Sequence, residues 1–504
     1  MKLRIVVILL LWSALSFAQE PASPPVPPVP MPAAPAQQAP TAPTPAPPDS
    51  APSPAAPNAP AGTEAKITPQ QAKELFQSVD EILEFVSADT GLPIKHPVKR
   101  QLASRDEVGR YIESHMQDDE DTQRLEHSAV VLKKFGLLPH DFDLQKFLLE
   151  MLREQVAGYY DSKTKTVYLL DWVEPEQQKP VLAHELTHAL QDQNFGLERL
   201  SKNTKKHDPT GLEEDERQEA LQAMIEGQGM IVLIDYMLAP MGTSVARQPE
   251  MADAAQAGLS PSDPGMAVYN RAPRFLQQVL IFPYRYGTLF EKDVLLAGGK
   301  EKAFAGALKT PPADTHQIMQ PQAYLQGERV PPLAPVDFNK LAAGYRRWDV
   351  SGMGAFDVFL LGTEYSTPEM AKNLSDAARG GYYWAAQIPG TGDREQAPAT
   401  AELALAYVSR WTDPGAAGRF AGTYSEAVPK RYPGARQVQG QIGPVLQEAP
   451  GAGIQVSITP QLSAAVAWQT SEGTVTIEPR GNMVLVLENF DPQTASAIRK
   501  AVFP

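Results

Sequence analysis

The stretch Val181-Leu-Ala-His184-Glu185-Leu-Thr-His188-Ala-Leu190 decides how the rest of the chain is read. It spells HExxH inside a run with helical character. Four residues are just over one helical turn, so His184 and His188 project from one face. Two imidazoles stacked in this way can bind one Zn²⁺, with Glu185 beside them to take a proton from a metal-bound water. The chain holds only 8 histidines in 504 residues. A chance HExxH is then on the order of one in a hundred.

A catalytic zinc needs a third protein ligand and an open position. A histidine in the compact HExxHxxGxxH pattern would fall at Asn194, so that pattern is absent. His207 follows in a lysine-rich, loop-like stretch. A long helix over about 212–238 supplies better candidates, Glu219 and Glu226, seven residues apart and therefore on one face. Glu226 is preferred. Its neighbour Gly227 lets two helix backbones approach closely, and the apolar Ile231-Val-Leu-Ile run implies burial, where a metal relieves an otherwise costly carboxylate. Glu219 is the alternative ligand, or a group orienting a histidine from behind.

Upstream, Val156-Ala-Gly-Tyr-Tyr-Asp161 and Thr166-Val-Tyr-Leu-Leu170 flank a polar turn and read as an antiparallel hairpin. In zinc peptidases of the zincin type, a strand ahead of the motif helix forms the cleft rim, where a peptide adds as one more strand. The motif helix itself is expected to start between Pro175 and Pro180 and to end at Gly196.

His184-Glu-Leu-Thr-His188-Ala-Leu-Gln-Asp-Gln-Asn-Phe, together with Ala223-Met-Ile-Glu226-Gly227, resembles a group of exported bacterial HExxH proteins. These are described as metallopeptidases of the Glu-ligand zincin superfamily. Gln155-Val-Ala-Gly-Tyr-Tyr-Asp161, Phe282-Pro-Tyr284-Arg-Tyr-Gly287 and Pro311-Pro-Ala-Asp-Thr-His-Gln-Ile318 are similar to the same group. The resemblance covers roughly residues 70–330. It implies one zinc held by His184, His188 and Glu226, with Glu185 as general base. The group carries a histidine–proline pair shortly after the Gln-Ile, whereas this chain has Gln320-Pro321.

The remaining sequence sets the frame. Net charge is −14 with no long basic run, which argues against nucleic acid as a partner. The absence of cysteine excludes disulfides and thiolate zinc sites. Lys2 and Arg4, an apolar run Ile5 to Leu15 and the small-x-small Ser16-Phe17-Ala18 read as an export signal over 1–18, with an uncleaved anchor as the lesser alternative. Residues 19–65 are Pro/Ala-rich and read as a disordered linker. The expected location is therefore periplasmic or extracellular, with no stable membrane span once the signal is removed.

The fold class expected is α+β. A mostly helical zincin-like domain with a small edge sheet spans 66–330, and a smaller α+β domain spans 331–504. Within the first, helices are expected over 70–87, 104–112, 121–135 and 143–155, with a strand over 98–102. Residues 241–267 read as a long loop or lid. A helix over 273–280 then leads through Phe282-Pro-Tyr284-Arg-Tyr-Gly287 into another. Tyr284, Tyr286 and His316 are candidate oxyanion donors by residue type, and Arg285 could meet a substrate carboxylate. In the second domain, 353–363 and 399–411 read as helices. Strands are expected over 454–458, 464–469, 474–479 and 482–488, with a terminal helix over 492–502.

The function these residues favour is an exported zinc peptidase acting on a protein or peptide substrate, with cell-wall-associated proteins among the candidates. Two alternatives stand beside it: an inactive zincin-fold binding or assembly factor, and a zinc hydrolase of cell-wall amide bonds.

Overall fold

The computed structural model describes residues 66–116, 119–155, 158–206, 211–258, 267–391, 397–440, 443–445 and 459–504. The export signal, the linker, His207 and the strand expected over 454–458 lie outside them. Helix α1 (Pro69–Thr90) begins where Thr68 and Gln71 cap each other reciprocally, and it ends at Gly91 in the left-handed region. Its buried stripe Leu75, Val79, Ile82, Leu83 and Val86 follows the expected helical spacing. Strand β1 (Lys99–Ala103) leads to α2 (Arg105–Met116), started by a Ser104–Glu107 capping box. Helices α3 (Asp119–Lys134) and α4 (Leu144–Gln155) follow.

The expected hairpin is present as β2 (Tyr159–Asp161) and β3 (Thr166–Leu170). Strand β3 is central in a three-stranded sheet, parallel to β1 and antiparallel to β2. That order leaves β2 as an edge.

Helix α5 (Pro175–Phe195) carries HExxH and stops at Gly196, whose N–H reaches the Asp192 carbonyl. Three expectations fail beyond it. The lysine-rich stretch is helical in part, as α6 (Leu197–Lys206), where Leu200 packs against the main core. After α7 (Glu214–Leu238), the proposed lid contains α8 (Glu250–Gly258), which buries Ala252 and Ala255. After the short α9 (Ala267–Asn270), α10 (Arg274–Glu301) continues through Pro283 and kinks only near its end, at Gly299. An interior proline costs about 3 kcal/mol of helix stability. Here Phe275, Leu276, Val279, Leu280, Phe282, Phe290 and Val294 are all buried, and their packing offsets that cost.

The C-terminal part is built on an antiparallel sheet of seven strands, larger than expected. These are β4 (Arg346–Met353), β5 (Ala378–Gln387), β6 (Leu403–Trp411), β7 (Arg436–Gln439), β10 (Val466–Thr470), β11 (Gly473–Arg480) and β12 (Met483–Glu488); β8 (Gly443–Val445) and β9 (Thr459–Gln461) form a separate pair. The order is β4-β5-β6-β12-β11-β10-β7. The helix expected over 399–411 is instead β6, inside the sheet. Leu403, Leu405 and Tyr407 enter the main core, while Ala404, Ala406 and Val408 enter a second cluster with Phe338 and Ile498. A strand covered on both faces loses its polar alternation, and its apolar run then looks like a buried helix. The expected helix over 353–363 is present as Ala355–Tyr365, and the terminal helix Pro492–Val502 covers the sheet as expected.

The architecture is thus α+β. Residue 331 falls between the two sheets, and contacts cross it. Lys134 reaches the Thr400 carbonyl at 3.0 Å and Glu472 at 2.7 Å, Tyr365 donates to the Phe135 carbonyl, and Ser351 on β4 donates to Asp215 on α7. The described residues from 67 to 504 belong to one compact unit. No described helix is long and apolar enough to cross a membrane.

Candidate metal centre

Helices α5, α7 and α10 pack around the HExxH face. Glycines on α7 and α10 let their backbones touch: a Cβ on Gly227 would sit 2.2 Å from the Gly287 carbonyl oxygen, and one on Gly287 would sit 1.9 Å from that of Ala223. That approach brings the Glu226 carboxylate over the two histidines. Nε2 of His184 lies 3.1 Å from Oε2 of Glu226, Nε2 of His188 lies 3.4 Å from the same oxygen, and the two Nε2 atoms are 3.0 Å apart.

These separations fit a metal ion. Ligand bonds of about 2.0–2.1 Å in a tetrahedron place donor atoms about 3.3 Å from one another. All three residues are buried, so the group cannot be an incidental surface cluster. Among the described residues, His184, His188 and Glu226 are the set of three whose donor atoms converge in this way, and the group can hold a metal ion. Burial pushes the Glu226 carboxyl up, but His188 and His184 outweigh it and hold it at about 2. Burial pulls the His188 imidazole down, but Glu226 and Glu185 lift it to about 9. The cluster therefore concentrates negative charge against a ring proton that a cation would displace.

Glu185 stands beside this group without being one of its three converging donors. Its Oε2 accepts the Tyr160 backbone N–H at 2.7 Å, which anchors it to edge strand β2. Burial lifts the Glu185 carboxyl above the usual range, with His184 and His188 pulling it down. One turn and more along α5, the buried Asp192 accepts from the Tyr160 hydroxyl at 2.8 Å, Lys165 at 2.5 Å and the Leu197 N–H at 3.1 Å. The hairpin is thus riveted to the motif helix at two points, through Glu185 and through Asp192.

Comparison with family models, curated proteins and solved structures finds no match.

Two buried glutamines, missed in the sequence, stand behind His188. Nδ1 of His188 is 2.8 Å from Oε1 of Gln191, and Nε2 of Gln191 donates to Oε1 of Gln228 at 2.8 Å. Gln228 in turn donates to the carbonyls of Ala303 and Phe304 in a π-helical turn, Lys302–Gly306, that follows α10. The signal for Gln191 was available: it is a polar residue three after His188, on the same helical face. Nothing local marks Gln228 or the π-turn.

The other candidates are placed as follows. Glu219 is two turns before Glu226, about 10 Å along the axis. Burial pushes its carboxyl well up, and Asp357, Glu216 and Asp215 add to this, so it faces other acids and stays outside the ligand group. Tyr284 is buried with its ring centroid 6.3 Å from that of His184. Tyr286, about 200° further round α10, packs on Phe282 and Phe359 instead. His316 is buried in the helix Thr315–Met319; burial pulls its imidazole down, and its charged neighbours are Arg379, Asp314, Glu328 and Asp376. Arg285, on α10 between the two tyrosines, exerts its charge on Tyr269 and Tyr286.

Proposed function

We propose that this protein is an exported, zinc-dependent peptidase. The observation that carries the reading is the Glu185 carboxylate, tied to an edge strand and standing next to a buried His–His–Glu triangle of ligand spacing. The donor set of two imidazoles and a carboxylate suits zinc and leaves a fourth position open. When bound, the ion supplies a Lewis acid that polarises a carbonyl and acidifies water. His184, His188 and Glu226 hold it. Glu185 accepts a proton at its carboxylate and returns it to the leaving nitrogen, a role its raised affinity for protons suits.

Strand β2 supports peptide as the substrate. An extended chain can add to an edge strand through backbone hydrogen bonds, which suit a substrate whose side chains vary. Of the two candidate tyrosines, Tyr284 is the one whose ring lies beside that of His184, and we assign it the oxyanion role. Export rests on the signal-like residues 1–18. The test is metal analysis of the purified protein followed by digestion of a peptide library, with and without chelator. Stoichiometric zinc and chelator-sensitive cleavage support the proposal. Bound zinc with no peptide cleaved, but release of amide-linked wall fragments, moves the substrate class. Bound zinc with neither activity leaves a binding protein.

A further inference from the structure

The amide chain behind His188 has a direction, and its far end sets it. The carbonyls of Ala303 and Phe304 can only accept hydrogen bonds. Gln228 must therefore turn its NH₂ group to them, at 2.9 and 3.2 Å, which leaves its Oε1 facing Gln191. Gln191 must then present NH₂ to that oxygen and to the Ile225 carbonyl at 3.2 Å. Its own Oε1 is left for Nδ1 of His188, at 2.8 Å, so Nδ1 carries the hydrogen. Reversing either amide would set oxygen against oxygen and NH₂ against NH₂. Both glutamines are fully buried, so water cannot repair a reversal.

With Nδ1 committed as donor, Nε2 is the ring nitrogen left for a cation, and it faces Glu226 and His184. His184 has no such support: its Nδ1 lacks a hydrogen-bond partner among the described residues. Of the two histidines, His188 is the one whose Nδ1 is engaged by a hydrogen bond among the described residues. We propose that Gln228 is a positioning residue. Acting only through Gln191, and anchored on the π-turn Lys302–Gly306, it holds His188 with Nε2 open to a metal ion. This inference rests on the metal-centre reading above and names the device that prepares one of its ligands.

The experiment is a double-mutant cycle on zinc affinity in the full chain, using competition with a chromophoric chelator. Gln191→Leu should weaken zinc binding by about 10–100-fold, in the range typical of lost outer-shell partners. Gln228→Leu should weaken it in the same direction, and Gln191→Leu/Gln228→Leu should bind no more weakly than Gln191→Leu alone. Residues that act in series give this non-additivity, whereas independent ones give a sum. The melting temperature of each metal-free variant is measured alongside. A structural role alone would lower it and leave the zinc Kd unchanged, which overturns the proposal. If Gln228→Leu does not fold, Gln228→Met provides the same loss of donor with less change of shape. Additive effects on Kd, or a wild-type Kd in either single variant, also overturn the relay. A wild-type protein that binds no zinc overturns the metal reading itself, and the two failures are thereby told apart.

Discussion

Gly229 on α7 leaves the space in which the His184 ring sits. A Cβ at this position would lie 2.7 Å from both Nδ1 and Cε1 of that ring. A hydrogen bond at Nδ1 holds the back of the His188 ring, whereas the back of the His184 ring meets this steric slot, with Tyr284 nearby. Gly229→Ala should therefore push one ligand out of line. Zinc affinity should fall roughly tenfold or more, as for other losses of ligand orientation. Chelator competition on the purified variant reads the change, and an unaltered Kd would remove the slot from the argument.

The approach of α7 and α10 has an equally direct test. Gly287→Ala would drive a methyl group into the Ala223 carbonyl, at 1.9 Å before any relaxation. The obstacle is backbone, which cannot swing aside as a side chain can. Overpacking of this kind typically costs about 1–3 kcal/mol. Urea unfolding should show that loss, and because the helix separation also sets the height of Glu226, metal affinity should drop with it.

Glu185→Gln should lower peptide cleavage by about 10²–10⁴-fold, the range of general acid–base contributions, with zinc still bound. The amide keeps its carbonyl oxygen for the Tyr160 N–H, so the hairpin stays attached. Metal content and kcat measured on the same preparation separate these effects. Retained activity would exclude Glu185 as the base.

Glu226→Ala and Glu219→Ala should differ. The first removes a donor that lies 3.1 and 3.4 Å from the two histidine nitrogens, and zinc should be lost or bound far more weakly. The second removes a carboxylate that faces Asp357, Glu216 and Asp215, so zinc occupancy should persist. Metal analysis of the pair is sufficient, and the reverse result would make Glu219 the ligand.

A pH effect is expected away from the centre. Asp235 near the end of α7 accepts the Val245 N–H at 2.6 Å and lies beside Asp89, which Lys300 engages at 2.7 Å. Burial, followed by the Asp89 charge, raises its carboxyl to about 7. An unfolded aspartate titrates near 3.9. The folded state therefore holds an extra proton between about pH 4 and 7, and its stability contribution is full below that window and lost as pH rises through 7. Relative to the wild type, Asp235→Asn should gain on the order of 2–3 kcal/mol between pH 5 and 8. Melting curves of both proteins across that range provide the check; parallel curves would rule the effect out.

The metal face was legible because it is local. His184, Glu185 and His188 sit on one turn, and 3.6-residue geometry alone directs the two imidazoles to one side. Glu226 could be proposed from its glycine neighbour and apolar surroundings, but a choice between it and Glu219 needed the contact of α7 with α5. The helix caps at Thr68 and Ser104, and the hairpin before the motif, were likewise readable from neighbouring residues. Strand β6 was not, since an apolar run buried on both faces carries no period to read. Nor was the continuation of α10 through Pro283, where packing outweighs the proline.

What the sequence by itself determined is which side chains share a face and where helices start and stop, because backbone geometry acts over four or five residues. What only the tertiary structure decided is the pairing across long separations. Gly227 against Gly287, Gln191 against Gln228, and Tyr160 against Glu185 are set by how helices and strands pack, and that depends on the shape of the whole core.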